Sequence, residues 1–180
     1  SFPYLIDHCI EWARAKFNDM FVQISKFLKE FYADPEAGKA KFRKEVKTNI
    51  SGIKELCENL VLFLPLLENP RPEAYVKFAR DFYQYAFYDQ IRQLLTSFPE
   101  DAKDKEGNLF WTSPKRPPVV VPFDDNSPDH LAFIASIVNI LQQFIVPLNP
   151  IHVAPSELQN ILRAIPVREV KIDNSEEARA

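Results

Sequence analysis

Three short clusters in this 180-residue chain contain residue types that could do chemistry. The first is His8-Cys9, where a thiol beside an imidazole could make a cysteine nucleophile. Adjacent positions on a helix point about 100° apart, so these two side chains cannot readily share a proton. Cys9 and Cys57, the only cysteines, therefore read as buried structural thiols, and Cys57 falls on an apolar helical stripe. Asp7, His8 and Glu11 could supply part of a metal shell. His130 and His152, however, lie in separate elements with no suitable partner three or four residues on, whereas zinc needs four ligands at recognisable spacing. No metal site and no catalytic residue are expected.

The second cluster, Asp124-Asp125-Asn126-Ser127-Pro128-Asp129, has the outline of a calcium loop. It lacks the central glycine, and Ala135 stands where the bidentate glutamate belongs. Acidic residues before and within a first helical turn are favoured by the helix dipole, so a helix start is the better reading. The third cluster is Ser113-Pro114-Lys115-Arg116-Pro117-Pro118. Pro114 and Pro117 form a PxxP that an SH3-type groove could take. Phe110-Trp111 just before it favours an internal strap pinned to the protein's own core. Lys115 and Arg116 are the candidate contact residues for a partner or a neighbouring domain.

Composition removes several classes of function. The three glycines, Gly38, Gly52 and Gly107, stand apart, so no glycine-rich dinucleotide or phosphate loop exists. A net charge of −3 gives no reason to bind nucleic acid or an anionic membrane, and two adjacent basic residues are too narrow a surface for either. The longest apolar run, Leu60 to Leu67, is short, contains Pro65 and falls far below the ~20 residues of a membrane span. Two thiols make no disulfide framework, which together with the lack of a secretory leader predicts a soluble, intracellular chain.

The elements that must position these clusters are helices. Ile6, Ile10, Ala13, Phe17, Phe21, Ile24, Phe27/Leu28 and Phe31 recur at three and four residues, predicting one long amphipathic helix from Pro3 to about Phe31. Asp34 caps and Pro35 opens a second helix to about Lys47. Ser51 caps a third to Leu64, buried along Ile53, Leu56/Cys57, Leu60 and Leu64. A fourth starts at Pro72 with Val76, Ala79, Phe82/Tyr83, Ala86 and Phe87 inward, bends near Tyr88-Asp89 and runs to Leu95. Residues 96–126, rich in proline and aromatics, form the strap. A helix from Ser127-Pro128 to about Val146 turns Leu131, Ile134, Ile137/Val138, Leu141 and Phe144/Ile145 inward. A short one from Ser156-Glu157 ends before Pro166. Residues 167–172 read as extended and 173–180 as a polar tail. The expected fold class is all-α: a compact multi-helix domain over residues 1–172 with little or no β-structure.

Three blocks then carry a resemblance. Phe98-Pro99, Phe110-Trp111-Thr112-Ser113-Pro114-Lys115-Arg116-Pro117-Pro118, Phe123 and Pro128-Asp129-His130-Leu131 follow one another as in ubiquitin-activating enzymes. So do Ser1-Phe2-Pro3, Ile6-Asp7-His8, Ile10, Trp12-Ala13-Arg14 and Phe17, and also Ile91-Arg92-Gln93-Leu94-Leu95. The chain resembles the larger half of that family's catalytic-cysteine domain. Agreement is weak over residues 22–70 and beyond 145, and those stretches carry no functional inference.

The resemblance implies a parent that uses ATP and magnesium to join a modifier's C-terminal carboxylate to AMP. The parent then forms a thioester on a cysteine and passes the acyl group to a conjugating enzyme. The thioester-forming cysteine would lie a few residues upstream of Ser1, near the positive end of the first helix, which favours the thiolate. Neither Cys9 nor Cys57 matches it. Implied partners are ubiquitin or a ubiquitin-like modifier, conjugating enzymes and the adenylation domain; the implied compartments are cytoplasm and nucleus. The competing expectation is a free-standing helical interaction module that uses its PKRPP segment.

Overall fold

The structure, a computed structural model, describes residues 5–145 and 153–166. Pro3, His152 and the expected segments 167–172 and 173–180 lie outside the described residues, as do the side chains of Phe144 and Ile145. The predicted long first helix is present as α1 (Ile6–Phe17), a π-helical turn (Asn18–Gln23) and α2 (Ile24–Ala33). Its apolar stripe does not stay on one face. Phe21 and Ile24 are buried, whereas Ile6 is 72% and Ile10 56% exposed. A π turn inserts one residue and rotates everything before it by about 100°. In α1 no residue is buried, and the half-covered positions, His8 and Lys16, lie off the apolar stripe. Cys9, expected in the core, is exposed, and Cys57 is only half-buried.

Asp34 ends α2 and caps α3 (Pro35–Thr48), its carboxylate accepting from the N–H groups of Glu36 and Ala37 at 3.1 and 3.0 Å. These satisfy two of the four donors a helix start leaves unpaired. Gly38 lets the hairpin close: a Cβ there would sit 3.1 Å from the Phe31 Cα. In α4 (Ile50–Glu68) the cap is Asn49, whose side chain accepts from Gly52 N at 3.1 Å, and not Ser51. Nor does Pro65 end this helix. It sits one turn from the C-terminus, where the helix loses a single bond and Asn69 N–H still reaches the Pro65 carbonyl at 3.2 Å. The buried line of α4 passes through Ile53, Phe63 and Leu66, leaving the expected Leu64 47% exposed.

Pro72 opens α5 (Pro72–Gln84), which passes through a second π turn (Tyr85–Asp89) into α6 (Gln90–Ser97). That π turn falls where a bend is expected, near Tyr88-Asp89. The strap, residues 98–127, leads to α7 (Pro128–Ile145), and α8 (Pro155–Ala164) follows. Helix α5 is central, contacting α4, α7 and α8. Around it Tyr75, Val76, Ala79, Ile134, Leu141 and Leu66 are almost wholly buried. Each large apolar side chain taken from water there contributes about 1.5–3 kcal/mol. Among the described residues there is no strand; Lys103 and Leu109 form an isolated antiparallel bridge. The all-α expectation holds.

Candidate functional site

The strap is irregular because proline removes N–H donors and fixes φ along it, so its position depends on side chains. Trp111 is its anchor: buried, with its indole N–H shared between the carbonyls of Phe98 and Pro99 at 3.0 and 3.1 Å. Phe98 and Phe110 stack at 4.3 Å with planes 9° apart, and the Lys115 ammonium lies 3.1 Å from the Phe110 ring centroid. A cation over an aromatic face is attracted by the ring quadrupole, so Lys115 helps hold the strap. Arg116 next to it is exposed. The two adjacent basic residues thus stand in different surroundings. The Ser113-Pro114 peptide is cis.

A second anchor lies further along. Val121 N–H donates to the Phe87 carbonyl at 3.2 Å, tying the strap to the second π turn. Phe123 packs edge-on against Tyr83 at 5.1 Å, and the Arg80 guanidinium sits 4.4 Å from its ring centroid. Burial holds the Arg80 pKa below the ordinary value and pushes the Tyr83 hydroxyl above its own. His130, in the first turn of α7, closes the strap. Its Nδ1 accepts the Asp124 backbone N–H at 3.0 Å, and its Nε2 meets the Tyr83 hydroxyl.

Helix α1 reaches this aromatic group through Trp12, whose ring lies 6.0 Å from Phe87. The start of α1 and residues 121–124 of the strap therefore meet at one framework of Phe87, Tyr83 and His130, whereas Phe110, Trp111 and Lys115 pack on Phe98 and Pro99 at the other end of the strap. The sequence reading missed that framework. Its signal was present as Tyr83 and Phe87 one turn apart, facing Phe133.

The acidic segment 124–129 behaves as a helix start. Asp124 Oδ1 accepts from Asn126 N–H at 2.9 Å, and Asp125 pairs with Arg163 of α8 at 2.7 Å. Among the described residues no group of three or more His, Cys, Asp or Glu side chains could hold a metal ion. No described helix is long and apolar enough to cross a membrane.

Comparison with known proteins decides what this framework belongs to. The family described as "Ubiquitin-activating enzyme, SCCH domain" matches residues 3–180. The chain belongs to the ubiquitin-activating enzyme family. It is 33% identical over 168 residues to ubiquitin-activating enzyme E1 1 of Candida albicans, covering 92% of this chain and 16% of that protein. Ubiquitin-like modifier-activating enzyme 6 of Mus musculus is 33% identical over 179 residues, covering 97% of this chain and 16% of that protein. Human ubiquitin-like modifier-activating enzyme 1 is 30% identical over 146 residues, covering 79% and 13%. The chain thus spans about one sixth of the length of these relatives.

Proposed function

We propose that this chain acts inside a longer ubiquitin-activating enzyme as the scaffold beside the thioester-forming cysteine. The observation carrying this reading is the family match along residues 3–180. The parent would use ATP and magnesium to form an acyl adenylate from the carboxylate of ubiquitin or a ubiquitin-like modifier. A cysteine thiolate would displace AMP to give the thioester, and a conjugating-enzyme cysteine would take the acyl group in turn. The chain would meet the modifier, the conjugating enzyme and the adenylation domain, in cytoplasm and nucleus.

Its own residues would hold neither ATP nor magnesium, having three separated glycines and no cluster of metal ligands among the described residues. Both belong to the rest of the parent in this reading. The functional unit is taken as residues 1–172, with 173–180 as a polar tail. Lys115 and Arg116 are assigned to contact with a partner or neighbouring domain. Arg116 is the one to touch it, since Lys115 is committed to Phe110. That commitment also weighs against the interaction-module reading, because a PxxP ligand must stand free of its own protein to enter a partner's groove.

Thioester charging and transfer by the longer enzyme, with a panel of modifiers, tests the proposal. Arg116→Glu should slow charging or transfer several-fold while leaving thermal stability unchanged. Normal transfer by the Arg116→Glu enzyme would remove the contact role. Charging of no modifier by the longer protein would remove the whole reading.

A further inference from the structure

The all-apolar run Leu60 to Leu67, which the fold buries only in part, lies along α4. A helix that is apolar all round is normally enclosed. Here α4 buries Phe63 and Leu66 but leaves Val61 62% and Leu62 41% exposed. Val61 and Leu62 flank an open groove of about 1320 Å³ between α4, α5 and the C-terminal end of α8. Its floor includes Leu66 and Phe78, and Tyr85 and Ile165 also line it. That volume exceeds the roughly 300–1,000 Å³ of small-molecule sites, and an open trough between helices is the shape that accepts a helix.

The rim gives the sign of the occupant's charge. Among the described residues, six acidic and four basic side chains line it. Three of the bases are matched within the rim, Lys16 by Glu55, Lys54 by Glu58 and Lys77 by Asp81. Asp19, Glu68 and Glu73 then outnumber the one remaining base, Arg71, among the described lining residues. Tyr85 reports the same field from inside: its hydroxyl pKa is raised first by burial and then by Glu55 and Glu58.

We infer that the groove between α4 and α5 is a docking site for a basic amphipathic helix of a partner protein. The apolar stripe of that helix lies on Leu66 and Phe78, and its basic flank faces Glu68 and Glu73. A second copy of this chain is a poor occupant, since the chain is itself acidic and would bring like charge to the rim. Residues 167–180, with three basic and four acidic side chains, also fail to match it. The inference goes beyond the proposed scaffold role and stands independently of it.

The test uses the full 180-residue chain and three labelled 18-residue peptides. One carries leucines at i, i+3, i+4 and i+7 with lysines elsewhere. The second replaces lysine by glutamate, and the third permutes the first so that the stripe is lost. Fluorescence anisotropy should show the lysine peptide binding at least tenfold tighter than either control and weakening as salt rises. Val61→Asp with Leu62→Asp, both at exposed positions, should abolish binding with the circular dichroism spectrum unchanged. Glu68→Lys should weaken binding several-fold, while Glu68→Gln should weaken it less. Equal binding of the glutamate or permuted peptide would overturn the inference, as would undiminished binding by the double variant. A dimer dissolved by that variant would name a second copy as the occupant. Peptide binding that appears only after residues 167–180 are removed would name the chain's own end.

Discussion

The Tyr83 hydroxyl meets Nε2 of His130 at 2.9 Å, joining α5 to the first turn of α7 across 47 positions of chain. Because the Asp124 N–H already points at Nδ1, that nitrogen is the acceptor, and Nε2 carries the proton that goes to the tyrosine oxygen. His130 thus uses both ring nitrogens to hold the end of the strap.

Tyr83→Phe should cost about 0.5–1.5 kcal/mol, the net worth of one such bond, with the ring packing kept. His130→Ala should cost more. It strands the Asp124 N–H and removes ring contacts with Tyr83 and Phe123 at 4.9 and 5.7 Å. Urea denaturation of the two variants checks this order; equal losses would mean that the ring nitrogens hold nothing beyond the hydroxyl.

Trp111→Phe keeps an aromatic ring but removes the N–H shared by the Phe98 and Pro99 carbonyls. A loss of about 1 kcal/mol is expected. Trp111→Ala should cost about 3–5 kcal/mol, since it also empties the space beneath the strap. Limited proteolysis of the alanine variant should cut within residues 98–127 before any helix is cleaved.

The cap of α4 discriminates between two neighbouring polar residues. Asn49→Ala should lower stability by about 0.5–2 kcal/mol, and Ser51→Ala should change it little. Thermal melts of the pair settle it. The same logic makes Asp34→Ala costly at α3, where one carboxylate serves two N–H groups.

Asp104 gives the sign of one pH effect. Its carboxylate accepts from the backbone of Asn108 at 2.8 Å and of Glu106 at 3.0 Å, and Gly107 beside them takes φ +86°. The Asn108 N–H is the main cause holding its pKa below the ordinary carboxylate value. A depressed folded pKa means that this turn's stabilisation is complete above the unfolded pKa and lost as pH falls through the folded one. A carbon-detected titration should place Asp104 below an Asp in an unstructured peptide, and Asn108→Pro should move it back.

Much of this architecture was legible in the chain. Asp34-Pro35, Pro72 and Ser127-Pro128 mark helix starts because their geometry and capping groups act locally. Phe98, Phe110 and Trp111 announced a packed strap because rings of that size seek cover. What was not legible depends on insertion and distance. The π turn at Asn18–Gln23 leaves the apolar spacing intact while rotating α1, so Ile6 and Ile10 read as core and are not. Asn49 and Ser51 can both cap, and only the local backbone chooses. Of the contact candidates, Lys115 and Arg116 look alike in sequence, and only the placement of Phe110 separates them. His130 looked idle because both of its partners come from outside its helix.

The thin cover over α1 also has a practical outcome for handling the protein. It leaves the Cys9 sulfur in contact with solvent, while Cys57 is partly sheltered. Reagents that alkylate thiols will modify Cys9 first, offering a single point for attaching a dye or a spin label. Left without reductant, two molecules can oxidise through it into a covalent pair that migrates at twice the monomer mass.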